Sequence, residues 1–415
     1  MDDPGPSSRD ARVAFTYPDF SLYQLARFCV IAGLEMQSVA VGWQIFEITR
    51  RPLDLGLVGL AQFAPGILLF LVTGHAADWF DRRKLLMACY AGFGVCSSLL
   101  LFIALKNIRA VIPIYAVILL GGVVRAFNNP VSRSMVPQII PEEHLENAIA
   151  WNSSVNQAGT ILGPSLGGLI YAVAGGPGPV YVTAMLAAAG GAFLLAQVKL
   201  RAKARRREPL SVKSVLAGLR YIGEKKIILG SISLDLFAVL LGGAVALLPV
   251  FARDILRTGP WGLGLLRASP AIGAGSMALL LAHRPFRRRA GATMLWCVAG
   301  FGVFTVLFGV SRSLLLSMVA LMLVGSMDMV SVVVRSTLVQ LATPDEMRGR
   351  VSAVEMIFIG ASNEIGQFES GLTAQWLGAV PAVILGGIGT LIVTGLWAWN
   401  FPELRRVETM TSFKK

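Results

Sequence analysis

The sequence predicts an all-α membrane protein of twelve transmembrane helices in two pseudo-symmetric six-helix bundles, with both termini in the cytoplasm. Three observations predict this fold. The 415 residues are 55% hydrophobic and only 15% charged, whereas soluble domains carry about 25% charged residues. Apolar runs long enough to cross a bilayer recur along the whole chain, and a polar segment of the first half reappears in the second.

The apolar runs predict an organisation in five parts. A cytoplasmic tail occupies 1–20, and the first six-helix bundle occupies 21–198. A basic cytoplasmic linker at 199–226 precedes the second bundle at 227–401, and a cytoplasmic tail follows at 402–415. The seventh apolar run is placed at roughly 227–252, and Glu47 and Asp54 are expected in a loop.

The net charge of +13 raises the possibility of a nucleic-acid partner, but its distribution favours a membrane. Basic residues concentrate in alternate loops and in the linker, which is the positive-inside pattern of a multi-pass protein. We therefore expect a plasma-membrane protein, in a bacterium an inner-membrane protein, that does not bind nucleic acid. The four cysteines lie in apolar runs, so neither a disulfide framework nor a metal site is expected.

An internal repeat relates the two halves. Arg133 to Gln138 matches Arg335 to Gln340 as Arg-Ser-x-aliphatic-x-Gln, at an offset of 202 residues. After one inserted residue, Gly163 falls on Gly366 at an offset of 203. Repeats of this kind are typical of transporters whose site lies near the membrane midplane.

The loop between the second and third runs carries the sharpest motif, Gly74 to Lys84, with the sequence Gly-His-Ala-Ala-Asp-Trp-Phe-Asp-Arg-Arg-Lys. It resembles the loop signature of the major facilitator superfamily, Gly-x-x-x-Asp-Arg-x-Gly-Arg-Arg, with Trp79 and Asp81 as departures from it. The resemblance implies the major facilitator fold and a conformational latch. The predicted latch residues are Gly74, Asp78, Arg82 and Arg83 on matching positions, together with Asp81.

The fifth run contains a second motif of this superfamily. Gly159-x-x-x-Gly163-Pro164-x-x-Gly167-Gly168 matches the Gly-x-x-x-Gly-Pro-x-x-Gly-Gly signature of its antiporters. The resemblance implies export. The same residues would also serve a plain packing seam, because small side chains let two helix backbones approach closely.

The wider chain resembles the superfamily branch that contains the bacterial enterobactin exporter and proton-driven drug efflux proteins. The stretches that carry this resemblance are Glu35 to Gln44 and Leu248 to Asp254. In the fourth run, Leu120 to Arg125 is similar to the membrane-embedded Arg motif of the superfamily. Arg125 is therefore a candidate proton relay, although an arginine that reaches the membrane interface is an equal alternative.

Charged residues inside apolar runs are the remaining candidates, because a charge at the bilayer centre is costly. A carboxyl group in an apolar cavity holds its proton more readily than one in water, as a proton-coupled carrier requires. Asp235 and Glu35, 200 residues apart, are expected to be repeat equivalents. Structural ion pairing is the alternative role for each acid. The proton-coupling candidates are Asp235, Glu35, Glu369, Asp328, Glu364 and Arg125, and Arg27 and Glu355 are further intramembrane charges.

These features together predict a secondary transporter, specifically a proton-coupled antiporter that exports amphiphilic small molecules of the drug or siderophore type. An uptake carrier or a lipid or lysolipid flippase of the same fold is the alternative, and a receptor that does not transport is a third. An ATP-driven pump is disfavoured because the sequence contains no phosphate-binding loop motif. We expect a monomer in the lipid bilayer, with a small-molecule substrate, protons, no cofactor and no enzymatic activity.

Overall fold

The computed structural model describes residues 13–69, 72–73, 80–200, 212–283 and 289–406, and within these ranges the regular structure is helical. After a 3₁₀ turn at Val13–Thr16, the first half contains six long helices. Their bounds are α1 Pro18–Thr49, α2 Pro52–Leu68, α3 Arg82–Leu105, α4 Ile112–Ile139, α5 Leu145–Ala174 and α6 Gly178–Gln197. A 3₁₀ turn at Glu142–His144 precedes α5.

The second half begins with two shorter helices and continues with five long ones and a terminal turn. Their bounds are α7 Val212–Glu224, α8 Lys226–Leu241, α9 Gly259–His283, α10 Ala290–Val310, α11 Leu314–Ala342, α12 Asp345–Leu377, α13 Ala379–Asn400 and α14 Pro402–Arg405.

Among the described residues, nine helical segments are long and apolar enough to cross a membrane. They include every predicted span except the second, fifth and eleventh, which correspond to α2, α5 and α12. Helix α2 is apolar but short, and α12 carries several acidic residues. The all-helical class is therefore confirmed, whereas the count of twelve spans and the cytoplasmic termini stay predictions.

The seventh predicted span is not one regular α-helix, although the segment Lys226–Ile255 as a whole is long and apolar enough to cross a membrane. Helix α8 ends at Leu241, and the chain continues through a 3₁₀ turn at Ala244–Leu247, one α-turn at Leu248–Val250 and a π-turn at Phe251–Ile255. Gly242 and Gly243 have low helix propensity, and Pro249 has no amide hydrogen for a helical bond. The local residue types therefore favour this interruption.

The linker contains a helix that the sequence reasoning did not identify. Helix α7 is amphipathic, with Ile222 buried and the charged side chains of Arg220 and Glu224 exposed. Gly218 lies against the backbone of Arg350 on α12, and the Tyr221 hydroxyl donates a hydrogen bond to the Ala342 carbonyl at 3.1 Å. These contacts attach α7 to the second half.

The chain divides into two compact units that differ from the predicted halves at one segment. The first unit comprises 1–41 and 64–209, and the second comprises 42–63 and 210–415. In the first unit, α1, α3, α4 and α6 share a buried core that includes Phe20, Tyr90, Met135 and Leu195. The Tyr23 hydroxyl donates a hydrogen bond to the Ser132 carbonyl at 2.9 Å within this core.

The second unit has two buried clusters. One joins α8, α10, α11 and α13 and includes Leu234, Met294 and Val334, and the other joins α7, α8, α11 and α12 around Ile222 and Ile232. Small residues allow close packing of helices α9 and α11 in this unit. The Ser326 hydroxyl of α11, for example, donates a hydrogen bond to the Gly273 carbonyl of α9 at 3.0 Å.

Residues 42–63, from the end of α1 into α2, belong to the second unit. They include two acidic residues that were expected in a loop. Glu47 lies within α1 and Asp54 within the first turn of α2, so the expectation of a loop was wrong. Glu47 pairs with Arg253 at 3.8 Å, and the Arg253 guanidinium lies 5.5 Å from the centre of the Trp43 ring.

Candidate functional site

The glycines of the fifth-span motif form a close seam between α1 and α5 within the first unit. A Cβ atom placed on Gly163 would lie 2.6 Å from Cβ of Glu35 and 2.8 Å from the Ala32 carbonyl oxygen. One placed on Gly167 would lie 2.6 Å from Cα of Met36. Gly159, Gly163, Pro164, Gly167 and Gly168 are all buried. Only glycine permits this approach, and the seam fixes the backbone position of Glu35.

A cavity of about 330 Å³ lies beside this seam, within the first unit. Three arginines line it, one from α1 and two from α4, namely Arg27, Arg125 and Arg133. Glu35 is the acidic residue in its lining, and Tyr90 and Phe93 are among the apolar residues. The cavity therefore combines an excess of positive charge with an apolar wall.

Asparagines of α4 and α5 add polar groups to the same cavity. The Arg27 guanidinium donates hydrogen bonds to the side-chain oxygens of Asn152 and Asn156, the second at 3.2 Å. The Oδ1 atom of Asn128 is buried and makes no hydrogen bond within the described part of the chain. Arg27 is thus held in place, while Asn128 offers an unused acceptor at the cavity.

The second unit contains a buried ion cluster centred on Arg335 of α11. Arg335 is 2% exposed, and its Nη1 atom donates a hydrogen bond to Oδ2 of Asp235 at 2.5 Å. Its Nε atom lies 3.7 Å from Oε1 of Glu355 on α12, and neither of these two atoms has a hydrogen-bond partner among the described residues. One guanidinium therefore lies between two carboxylates from two different helices.

Asp328 lies next to this cluster. Asp328, Asp235 and Ser331 line one small cavity together with the apolar residues Phe301 and Met327. The Ser331 hydroxyl is buried and makes no hydrogen bond within the described residues. Polar groups thus extend from the Arg335 pair along α11.

The two other acidic candidates make local hydrogen bonds on α12. Oε2 of Glu364 accepts a hydrogen bond from the Gln367 amide at 2.9 Å. Oε1 of Glu369 accepts one from the Thr373 hydroxyl at 2.8 Å. Neither residue lines the small cavity around Asp235 or belongs to the Arg335 ion pairs.

Helix packing within each unit shows which residues of α1 and α8 are repeat counterparts. Gly163 lies against the backbone of Ala32, so that a Cβ atom added to this glycine would be 3.2 Å from Cα of that residue. Its repeat counterpart Gly366 lies against the backbone of Leu240, where the same distance would be 3.1 Å. Residue 32 therefore corresponds to residue 240, an offset of 208 (240 minus 32) rather than 200.

This register corrects the expected equivalence of Asp235 and Glu35. At the offset given by the packing, Asp235 corresponds to Arg27, and Glu35 corresponds to Gly243. The alignment of α1 with α8 follows from helix packing and not from the sequence, because one apolar residue of a span can replace another. The same place in the fold therefore carries a cation in the first unit and an anion in the second.

Comparison with known proteins identifies the family. A major facilitator family model described as "Transmembrane secretion effector" matches residues 15–414. The chain belongs to this family. An enterobactin exporter, EntS, of Shigella boydii serotype 4 is 29% identical over 402 residues, covering 94% of each chain.

Solved structures agree with this family's fold. A single-site mutant of the nucleoside transporter NupG has a TM-score of 0.72 and 13% identity, covering 92% of this chain and 100% of its own. A bacterial homologue of the human lysosomal transporter Spinster has a TM-score of 0.71 and 13% identity, covering 94% and 98%. The major facilitator fold is confirmed. The protein is a multi-pass inner-membrane transporter and not an enzyme.

The superfamily loop motif of this transporter lies partly outside the described residues, which exclude Gly74 and Asp78. Asp81 caps α3, because its carboxylate accepts hydrogen bonds from the backbone amides of Arg83 and Lys84 at 2.9 and 3.1 Å. Arg82 donates to the Ser134 carbonyl at 3.4 Å, and the Arg83 guanidinium donates to that of Val198 at 2.7 Å. These contacts join the start of α3 to the ends of α4 and α6.

Sequence reasoning on this transporter missed the central residue of the ion cluster. Arg335 was noticed as a repeat match to Arg133 but not as an intramembrane charge. The signal was present, because the one polar motif shared by both halves begins with these two arginines. The partners of Arg27, Asn152 and Asn156, carry no charge, so nothing in the sequence distinguished them from ordinary helix residues.

Proposed function

We propose that this transporter is a proton-coupled antiporter that exports amphiphilic small molecules of the siderophore or drug type by alternating access. Two observations support export: the family description names secretion, and relatives of this chain are named enterobactin exporters. The glycine seam of the antiporter motif is consistent with this direction. We further propose that the protein works as a monomer, with the tails and the linker in the cytoplasm.

The observation that carries proton coupling is the pair of carboxylates around Arg335. With Asp235 and Glu355 both ionised, the three side chains have a net charge of −1, in a site where Arg335 is 2% exposed. An unbalanced charge in such a place is costly. One proton makes the trio neutral. A proton that enters the cluster therefore changes the partner of Arg335, which links protonation to the contact between α8 and α11.

Asp235 and Glu355 are the proton carriers in this proposal, and Asp328 is a neighbouring acceptor along α11. Glu364 and Glu369 are secondary, because each already accepts a hydrogen bond from a neighbour on its own helix. A purely structural ion pair is the competing role for Asp235. The two roles differ in what Asp235→Asn does to substrate binding.

The loop motif has a proposed role in the conformational cycle. We assign Gly74, Asp78, Asp81, Arg82 and Arg83 to a latch, in which Arg82 and Arg83 hold the start of α3 to the ends of α4 and α6. For Asp81 the cap on α3 is an additional role, because its side chain already accepts two backbone hydrogen bonds.

Transport by purified protein in proteoliposomes tests the function. A panel of amphiphilic anions, cations and neutral compounds is offered with and without an imposed pH gradient, in vesicles of both orientations. The proposal expects accumulation against a gradient only when protons flow in the opposite direction. Accumulation that follows the protons would indicate an uptake symporter, and transport unaffected by the pH gradient would remove proton coupling. Glu403→Gln, which changes an exposed acid on α14, is the matched control for Asp235→Asn in this assay.

A further inference from the structure

We propose that the first-unit cavity binds an anionic group of the exported molecule. Among the described residues, its lining carries Arg27, Arg125 and Arg133 against the single acid Glu35, so the ionised lining has a net charge of +2. The cavity volume of about 330 Å³ is at the lower end of the range for small-molecule pockets. This inference rests on the proposed export function and names its substrate class.

The arrangement of the arginines favours a planar oxyanion. A guanidinium presents a fork of N–H donors that matches the two oxygens of a carboxylate or a comparable group. Arg27 is oriented in advance by Asn152 and Asn156, which lowers the entropy cost of its use. Arg125 of α4 is half-buried at the same cavity, and Arg133 is exposed there.

The apolar residues of the lining define the rest of the ligand. Tyr90 and Phe93 are each 2% exposed and line the cavity together with Val30, Ile31 and Leu34. An aromatic or aliphatic body would bury apolar surface there, while its anionic end meets the arginines. A compact amphiphilic anion therefore fits this cavity better than a neutral or cationic molecule.

Glu35 then acts as a counter-charge to the arginines of this cavity rather than as a proton carrier. Its ionised carboxylate repels an anionic ligand and attracts a cationic one. Neutralising Glu35 should therefore tighten binding of an anion and weaken binding of a cation. A carboxylate far from the bound group would produce no such opposite response of two ligands that share one ring system.

Equilibrium binding to the full-length protein in zwitterionic-lipid nanodiscs tests this inference. The probes are 2-naphthoate, 2-naphthalenemethanol and 2-naphthylmethylammonium, which share the naphthalene ring and carry an anionic, a neutral and a cationic substituent at the same position. Wild-type protein should bind naphthoate most tightly. Arg125→Gln should weaken naphthoate binding by roughly tenfold, as for the loss of one hydrogen bond to a charged group. Glu35→Gln should tighten naphthoate binding and weaken binding of the ammonium probe.

Controls separate the cavity from general effects. Arg312→Gln, an exposed arginine in the connection between α10 and α11, should leave all three affinities unchanged. Thermal unfolding confirms that each variant is folded. Equal binding of the three probes, or unchanged naphthoate binding in both Arg125→Gln and Arg125→Lys, would overturn the proposal. Displacement of naphthoate by added phosphatidylglycerol at low mole fraction would also overturn it, because the anion would then be a lipid headgroup.

The binding assay is independent of direction and of the pH gradient. Naphthoate selectivity with no gradient-driven export would sustain the anion site and reject the proposed antiport. Gradient-driven export without anion selectivity in binding would reject the anion site alone.

Discussion

Asp235 and Arg335 form a direct ion pair inside the second unit, with Oδ2 of the acid 2.5 Å from Nη1 of the arginine. The two residues lie 100 positions apart in sequence, on α8 and α11. In the sequence Asp235 is an isolated intramembrane acid, whereas in the structure it is one member of an ion cluster. An acid paired in this way has two candidate roles, proton carrier and structural ion-pair partner.

Asp235→Asn should abolish pH-driven export and preserve substrate binding and exchange at equal pH. The amide cannot release a proton, but it can still accept a hydrogen bond from Arg335. Counterflow and gradient-driven uptake into inverted vesicles measure the two activities separately. Binding lost together with transport would indicate a structural acid, and concentration of substrate against its gradient would show that coupling occurs elsewhere. Glu355→Gln should then be examined next.

Arg335→Met should lower the free energy of unfolding by about 3–5 kcal/mol, because it leaves Asp235 as an uncompensated buried charge. Combining it with Asp235→Leu should recover part of this loss, since both charges are then replaced by apolar groups. Thermal unfolding in detergent of the two single variants and the double variant gives the coupling energy. Strictly additive losses would contradict an energetic link between the two residues.

Gly163→Ala should destabilise the first unit by about 1–3 kcal/mol, the usual cost of overpacking. The new methyl group would meet Cβ of Glu35 and the Ala32 carbonyl oxygen at distances below 3 Å. Gly190→Ala on α6 is the matched control, because a Cβ atom there meets nothing within 4 Å. Equal unfolding temperatures of the two variants would argue against a close seam.

Asp81→Ala should cost about 1 kcal/mol, the typical value of a lost helix cap, and Asp81→Ser should restore most of it. Transport by the two variants distinguishes the two proposed roles. A cap alone predicts that Asp81→Ser transports like wild type. A latch that needs the negative charge predicts that Asp81→Ser is as impaired as Asp81→Ala.

Topology can be read from a pair of single cysteines in a background that lacks the native thiols. Arg220→Cys replaces an exposed side chain of α7, and Arg312→Cys replaces an exposed one in the connection between α10 and α11. The positive-inside pattern predicts that an impermeant thiol reagent labels position 312 but not position 220 in right-side-out vesicles. Labelling of position 220 under these conditions would reverse the assigned orientation.

The sequence by itself determined the fold class and the family of this protein. Composition, the long apolar runs, one loop motif and one helix motif carry that information locally. Each apolar run forms a helix because exposing polar backbone to lipid is costly. Hydropathy does not show the irregular backbone after α8, because Gly242, Gly243 and Pro249 lie in a run that is apolar throughout.

The tertiary structure decided which polar residues meet. Asp235 was a candidate from its charge alone, but its partner Arg335 and its repeat counterpart Arg27 follow only from helix packing. Glu35 was grouped with Asp235 by sequence spacing, whereas the structure places it at a cavity with three arginines. A span's apolar residues fix its length but not its rotation or register, and those depend on the close contacts of neighbouring helices, such as the seam at Gly163.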